Sequence, residues 1–256
     1  MYYIIKIKLN IRNGGANMNK PKMIIFDYGQ TLVNAKPFEA LKGTKAVLTE
    51  AAYNPNNVSA EEVQALADEL NNEIGRYGPD YEKHTFLEVH NHVFQNFLYE
   101  YFGIELTKSQ EEVEDIFEST GFIAEPTENI VELLEHLHRN NIRTSVISNI
   151  SFSGDLLKRR IDNYIPSHKF EFIIASSEYV FRKPHKRIFE LALRKANLCP
   201  SDVWYCGDNA VFDVDGAADS GIFPVWYKGA IEETNKYVPK SECLEITDWN
   251  ELIKIL

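Results

Sequence analysis

Apolar and polar residues follow two different rhythms along this chain. Residues 23–26 form an unbroken apolar run that Asp27 closes, and Gly29 and Thr31 follow in quick succession. A short apolar run bounded by turn residues reads as a buried strand opening into a loop, with a carboxylate at the strand's carboxyl end. From residue 37 to 123 the rhythm changes. Ala, Leu, Glu, Gln and Asn prevail and apolar side chains recur at helical spacing, most clearly over residues 60–70 and 86–98. The spacing predicts an all-helical insert. After Pro126 helix and strand alternate: residues 128–140 place Ile130, Val131, Leu133, Leu134 and Leu137 on one helical face. Further strands are expected over 144–149, 172–175, 203–206 and 222–226, with helices over 154–164, 185–196 and 213–219. Strands alternating with helices imply a parallel, doubly wound sheet, and ligands of such sheets sit at the carboxyl ends of the strands.

Composition narrows the classes. The 256 residues are 44% hydrophobic and 25% charged, enough apolar content for a substantial core. With 27 Lys and Arg against 38 Asp and Glu, the net charge of −11 argues against nucleic acid as a partner, because sequence-independent binding to a polyanion needs a basic surface. Cys199, Cys206 and Cys243 show no paired spacing, which points away from a disulfide scaffold and toward a reducing, cytoplasmic setting. Lys6, Lys8 and Arg12 interrupt the apolar stretch of residues 1–17, so neither a signal peptide nor a membrane span is expected there. The Arg-Asn-Gly-Gly-Ala-Asn segment before Met18 is compatible with a purine-rich start signal, so natural translation from Met18 is an expectation and residues 1–17 an extension outside the domain plan. An extra strand in this segment is the other reading.

The chemically distinctive side chains gather at predicted strand ends: Asp27 after the first strand, Ser148 and Asn149 after the second, Asp208 and Asp213 after the fourth. Lys183 joins them from a loop. Three carboxylates at one rim raise each other's pKa unless a cation offsets them. A hard divalent ion such as Mg²⁺, held by oxygen ligands with room for water and a phosphate, suits this set.

Four segments carry a resemblance. Residues 26–32 (Phe-Asp-Tyr-Gly-Gln-Thr-Leu), 146–149 (Val-Ile-Ser-Asn), Lys183-Pro184 and 207–217, opening Gly-Asp-Asn, resemble in order the four motifs of the haloacid dehalogenase-like hydrolases. The resemblance implies a Rossmann-like doubly wound α/β core over residues 18–36 and 124–256, with an inserted α-helical cap over 37–123. It implies a Mg²⁺-dependent phosphatase acting on a small phosphorylated metabolite. Asp27 would be the nucleophile that forms an aspartyl-phosphate. Lys183 would neutralise charge, and Thr31, Ser148 and Asn149 would join Lys183 at the phosphoryl oxygens. Asp27, the backbone carbonyl of Gly29, Asp208 and Asp213 would serve the metal, Asp213 through water or by holding Lys183.

One position departs from the pattern. The phosphatases of this family carry a second aspartate two residues after the nucleophile, as general acid and base, and here that position is Gly29. A general acid–base contributes ~10²–10⁴-fold, so its loss penalises poor leaving groups most. Acyl or aryl phosphates are then the expected substrates, with His185 a substitute proton donor to examine. The gap also leaves open a weakened relative that binds a phosphorylated ligand or partner without turning it over, and relatives that cleave carbon–halogen or carbon–phosphorus bonds. The last need a cap lysine, and none stands between Lys45 and Lys83. His84, His90 and His92 have the wrong spacing to chelate one ion from a helix and read as surface or core residues. Phe86, Phe94, Phe97, Tyr99, Tyr101 and Phe102 read as the insert's own core.

Overall fold

The computed structural model describes residues 19–76, 86–230 and 237–256. The expected extension 1–17, the start at Met18 and His84 lie outside the described residues.

Six parallel strands form the central sheet: β1 (Met23–Phe26), β6 (Arg143–Ser148), β7 (Ile173–Ala175), β8 (Val203–Gly207), β9 (Phe223–Tyr227) and β10 (Leu244–Ile246), in the order β10-β9-β8-β1-β6-β7. All four residues of β1 are fully buried, which is why this run shows no polar alternation: both faces of a central parallel strand are covered. Ile24 and Phe26 enter one core with Leu133 and Leu137 of α5 (Ile130–Arg139) and Leu157 and Ile161 of α6 (Gly154–Tyr164). Met23 and Ile25 enter the other, with Ile188, Phe189 and Ala192 of α7 (Lys186–Ala196). Each of the Leu, Ile, Met and Phe side chains contributes ~1.5–3 kcal/mol on burial. The chain runs outward from β1 through β6 to β7, then returns to the other side of β1 with β8. The switch point therefore lies between β1 and β8, where a ligand crevice opens at the strand ends.

Between β1 and α5 the insert contributes α1 (Ala40–Leu48), α2 (Ala60–Glu73), α3 (Asn91–Tyr101) and α4 (Gln110–Gly121). Capping boxes at Ser59/Glu62 and Ser109/Glu112 start α2 and α4. Val47, Val63, Leu98 and Val113 make a separate core for these helices. The neck is an antiparallel pair, β2 (Val33–Ala35) with β5 (Ala124–Pro126), where the chain enters and leaves.

The structure corrects three expectations about the insert. It is not all-helical, since β3 (Ala51–Tyr53) pairs with β4 (Glu105–Leu106). The helical spacing over 86–98 overruns the helix: Phe86 has φ +52°, Leu87 bridges Phe181, and α3 begins only after His90, whose Nδ1 caps it through His92 N. Phe97 and Tyr101 are not core residues but exposed, whereas Phe94, Tyr99 and Phe102 pack inward. At the carboxyl end, β10 and α9 (Trp249–Ile255) had no counterpart in the sequence pattern. Trp249 of α9 stacks on Tyr227 with ring centroids 4.0 Å apart and donates to Thr127 Oγ1 at 3.0 Å, which seals the core beneath the neck. No helix among the described residues is long and apolar enough to cross a membrane.

Candidate active site

The rim above β1 and β8 is built around one buried lysine. Lys183, 2% exposed, spends all three ammonium protons: on Asp27 Oδ1 at 2.6 Å, Asp213 Oδ1 at 2.5 Å and Tyr205 Oη at 2.8 Å. Burial pulls the lysine pKa down, but Asp213 and Asp27 together more than reverse it, so the net shift is upward and the group stays charged. The loop that carries the lysine is fixed by Asn149, whose amide accepts from Lys183 N at 2.7 Å and donates to Lys183 O at 2.9 Å.

Each acid reaches the rim for a local reason. Asp27 follows the last residue of β1, and its N–H extends the ladder to Cys206 O at 2.8 Å. Asp208 follows β8, and Trp226 Nε1 donates to its carbonyl at 2.7 Å. Asp213 sits on the π-helical turn Ala210–Asp215, which Asn209 Oδ1 caps by accepting from Val211 N and Phe212 N. Gly207 is required here, because a Cβ at that position would overlap the Asp213 side chain. One oxygen from each of Asp27, Asp208 and Asp213 falls within 4.8 Å of the others.

The electrostatics follow from that crowding. Burial, and then the charge of Asp213, push the Asp27 carboxyl up to about 6 against the pull of Lys183. Burial followed by the charges of Asp213 and Asp27 drive Asp208 well above the ordinary carboxylate range. Three acids against one lysine leave two uncompensated negative charges when all are ionised. A divalent cation held by carboxylate oxygens fits that deficit in charge and in ligand type.

A cleft of about 460 Å³ exposes Asp27, Gly29, Ser148, Lys183, Asp208 and Asp213 together. Ser148 closes β6 and is 4% exposed. Two residues expected at the phosphate are engaged by neighbouring residues. Thr31 is fully buried, with its hydroxyl 3.5 Å from Asp208 Oδ1, so it touches the rim from below. Asn149 lines the cleft, with its amide bonded to the backbone of Lys183. His185 also stands apart: its ring stacks on Phe181 at 4.0 Å and its Nδ1 caps α7 through Arg187 N, outside the residues lining the cleft. His90 Nε2 lies 3.5 Å from Glu178 and His92 Nε2 lies 3.5 Å from Glu114. Gly29 faces open space, since a Cβ there would meet nothing within 4 Å.

Sequence reasoning missed Tyr205, Arg76, Arg160 and Arg182, all at or beside the cleft. Arg160 carried a readable signal: it stands four residues after Leu156 and three after Leu157, on the buried face of α6. Tyr205 lies inside an apolar run and carried none.

Comparison with known proteins gives a matching family and a similar fold. Residues 24–226 match the family described as haloacid dehalogenase-like hydrolase. A glyceraldehyde 3-phosphate phosphatase of Methanothermobacter thermautotrophicus is 25% identical over 241 residues, 92% of this chain and 99% of that protein. The enzyme of the same name from Pyrococcus furiosus is 28% identical over 102 residues, a stretch that spans only 40% of each chain. In fold, the crystal structure of 2-haloacid dehalogenase from Pseudomonas syringae pv. Tomato is similar, with a TM-score of 0.62 at 20% identity, covering 92% of this chain and 97% of that one.

Proposed function

This chain belongs to the haloacid dehalogenase-like hydrolases, and from that membership we propose that it is a divalent-metal-dependent phosphatase, with Mg²⁺ the expected ion, acting on a small phosphorylated compound through Asp27. The observation that carries the proposal is the arrangement at the rim: a carboxylate at the end of β1, held at 2.6 Å by a buried lysine, with two further acids whose oxygens fall within 4.8 Å of its own. Asp27, Asp208 and Asp213, with the Gly29 carbonyl, are the groups that would hold the cation. Bound there, it would supply charge to the phosphoryl oxygens and bring them to the nucleophile.

The remaining work falls to the chain. An Asp27 carboxylate oxygen forms a bond to phosphorus as the bond from phosphorus to the leaving oxygen breaks, giving an aspartyl-phosphate. Water then attacks phosphorus, releases phosphate and returns the carboxylate. Lys183 keeps Asp27 oriented and offsets the charge that gathers on the transferring group. Asp213 and Tyr205 hold Lys183, and Asn149 holds the backbone that carries it, so these three are positioning residues. Ser148, which lines the cleft, would donate to a phosphoryl oxygen. Gly29 offers no proton to the leaving group, so aryl and acyl phosphates should turn over faster than alkyl phosphates.

Release of inorganic phosphate from a panel of phosphorylated compounds, with and without Mg²⁺, tests the proposal. Asp27→Asn is expected to lower the rate by at least about 10³-fold, as loss of a nucleophile does. Activity that survives that substitution would remove Asp27 from its role. Binding without turnover in the unaltered protein would favour the weakened, ligand-binding relative instead.

A further inference from the structure

The cleft does not end at the rim. A second cavity of about 430 Å³ opens from it beneath the helices of the insert, and Arg76, Arg160, Arg182, Phe122, Asn149 and Ile150 line both. Three guanidinium groups thus stand in one wall.

Their hydrogen bonds set them apart. Arg76 donates from both terminal nitrogens, to Asn71 Oδ1 at 2.9 Å and Val89 O at 2.8 Å. Arg160 is 6% exposed, with Nε donating to Glu118 Oε1 at 2.7 Å and its guanidinium carbon 3.7 Å from the Phe122 ring centroid. Its Nη2 is buried and donates to nothing among the described residues. Arg182 lines the same wall with its side chain 13% exposed and Nε 3.7 Å from Glu88 Oε2. Tyr28 lines the same cleft, and its hydroxyl is also buried with no hydrogen-bond partner among the described residues. A charged donor left unsatisfied in a buried wall costs stability that a ligand acceptor recovers.

Charge narrows the ligand. Glu88, with its side chain 1% exposed, lies 3.7 Å from both Arg76 and Arg182, and Glu118 pairs with Arg160. Three guanidinium groups pair with two carboxylates, while Asp68, the other acid lining this cavity, is exposed and bound to Gln64 Nε2, so the ion-paired part of the wall is one positive charge over. A monoanion with planar oxygens matches both that excess and the guanidinium fork, whereas a second phosphate would bring more negative charge than the wall offsets.

We propose that this wall, with Arg160 and Arg182 as its donors, binds a carboxylate of the substrate, which makes the preferred substrate a small phosphorylated carboxylic acid. The inference rests on the reading of the rim as a phosphoryl-transfer site.

Two compounds test it: 3-phosphoglycerate and glycerol 3-phosphate, which differ by a carboxylate against a hydroxymethyl group and both leave as alkoxides. We would measure kcat/KM for each in Mg²⁺, and the affinity of the Asp27→Asn protein for each by calorimetry. The carboxylate should be favoured by about 10- to 100-fold in both assays, the range of one charged hydrogen-bonded contact. In Arg160→Met that ratio should fall toward one, mainly through KM. Arg182→Gln should lower it in the same way, and it leaves Glu88 still paired with Arg76, so it serves if Arg160→Met does not fold. Equal kcat/KM and equal affinity for the two compounds in the unaltered site would overturn the carboxylate subsite and leave phosphate release standing. A binding preference without phosphate release from either compound or from p-nitrophenyl phosphate would support the subsite and overturn the hydrolytic reading.

Discussion

Two buried charge clusters stand side by side in this molecule, and they are balanced in opposite ways. At the strand ends, three carboxylates share one lysine, and two of them are held above the ordinary carboxylate range. In the wall beneath the insert, three arginines share two glutamates. The first cluster is short of positive charge and the second of negative. A cluster that merely stabilised the fold would pair its charges, because each uncompensated buried ion costs several kcal/mol. The two imbalances therefore read as room for ligands of opposite sign, a cation at the rim and an anion in the wall, with the phosphoryl group between them.

The most damaging way to break the contrast is to remove the lone cation of the rim. Lys183→Met leaves Asp27 and Asp213 facing each other without their shared partner, so the metal-free protein should lose about 3–5 kcal/mol of stability, read as a drop in Tm. Mg²⁺ should recover part of that loss. A Tm unchanged without metal would show that the rim tolerates its charge deficit unaided.

A gain of function sharpens the picture next. Because a side chain at position 29 meets open space, Gly29→Asp should fold normally and supply a proton donor beside Asp27. Turnover of alkyl phosphates should rise by about 10²-fold, and turnover of p-nitrophenyl phosphate, whose leaving group needs little protonation, should change far less. Equal gains on both substrates would mean that the new carboxylate acts on something other than the leaving group.

The smallest effect is on the pH dependence of stability. An acid whose pKa is raised by folding binds more protons in the folded state, so stability falls as pH rises from its unfolded value, near 4, through its folded value. For Asp27 that window ends at about 6, and Asp208 shifts in the same direction. A cation bound to the ionised carboxylates removes the penalty. The Tm increase produced by Mg²⁺ should therefore be larger at pH 7 than at pH 5, and a gain independent of pH would place the ion elsewhere.

Legibility in the sequence followed how local each cause is. The run that Asp27 closes is apolar because β1 is covered on both faces, and that is visible along the chain, whereas only Val146 and Ile147 mark the strand that ends in Ser148. The motif positions at their ends could be placed for the same reason. The start of α3 was hidden because Phe86 and Leu87 are apolar for a different purpose: Leu87 bridges Phe181, a contact across 94 positions that no periodicity reports. The helix α9 went unread because it is only seven residues long and its apolar partner Tyr227 is distant in sequence. The roles of Asn149 and Tyr205 were illegible because both act on Lys183, whose loop reaches them only in the folded chain.

The central claim is that Asp27 becomes phosphorylated. Intact-mass analysis of the protein quenched in acid during turnover of p-nitrophenyl phosphate measures this directly. The account predicts a Mg²⁺-dependent species heavier by one phosphoryl group, located on Asp27 by peptide mapping and absent from Asp27→Asn. Steady phosphate release with the phosphoryl group on another residue, or undiminished release by Asp27→Asn, would contradict it.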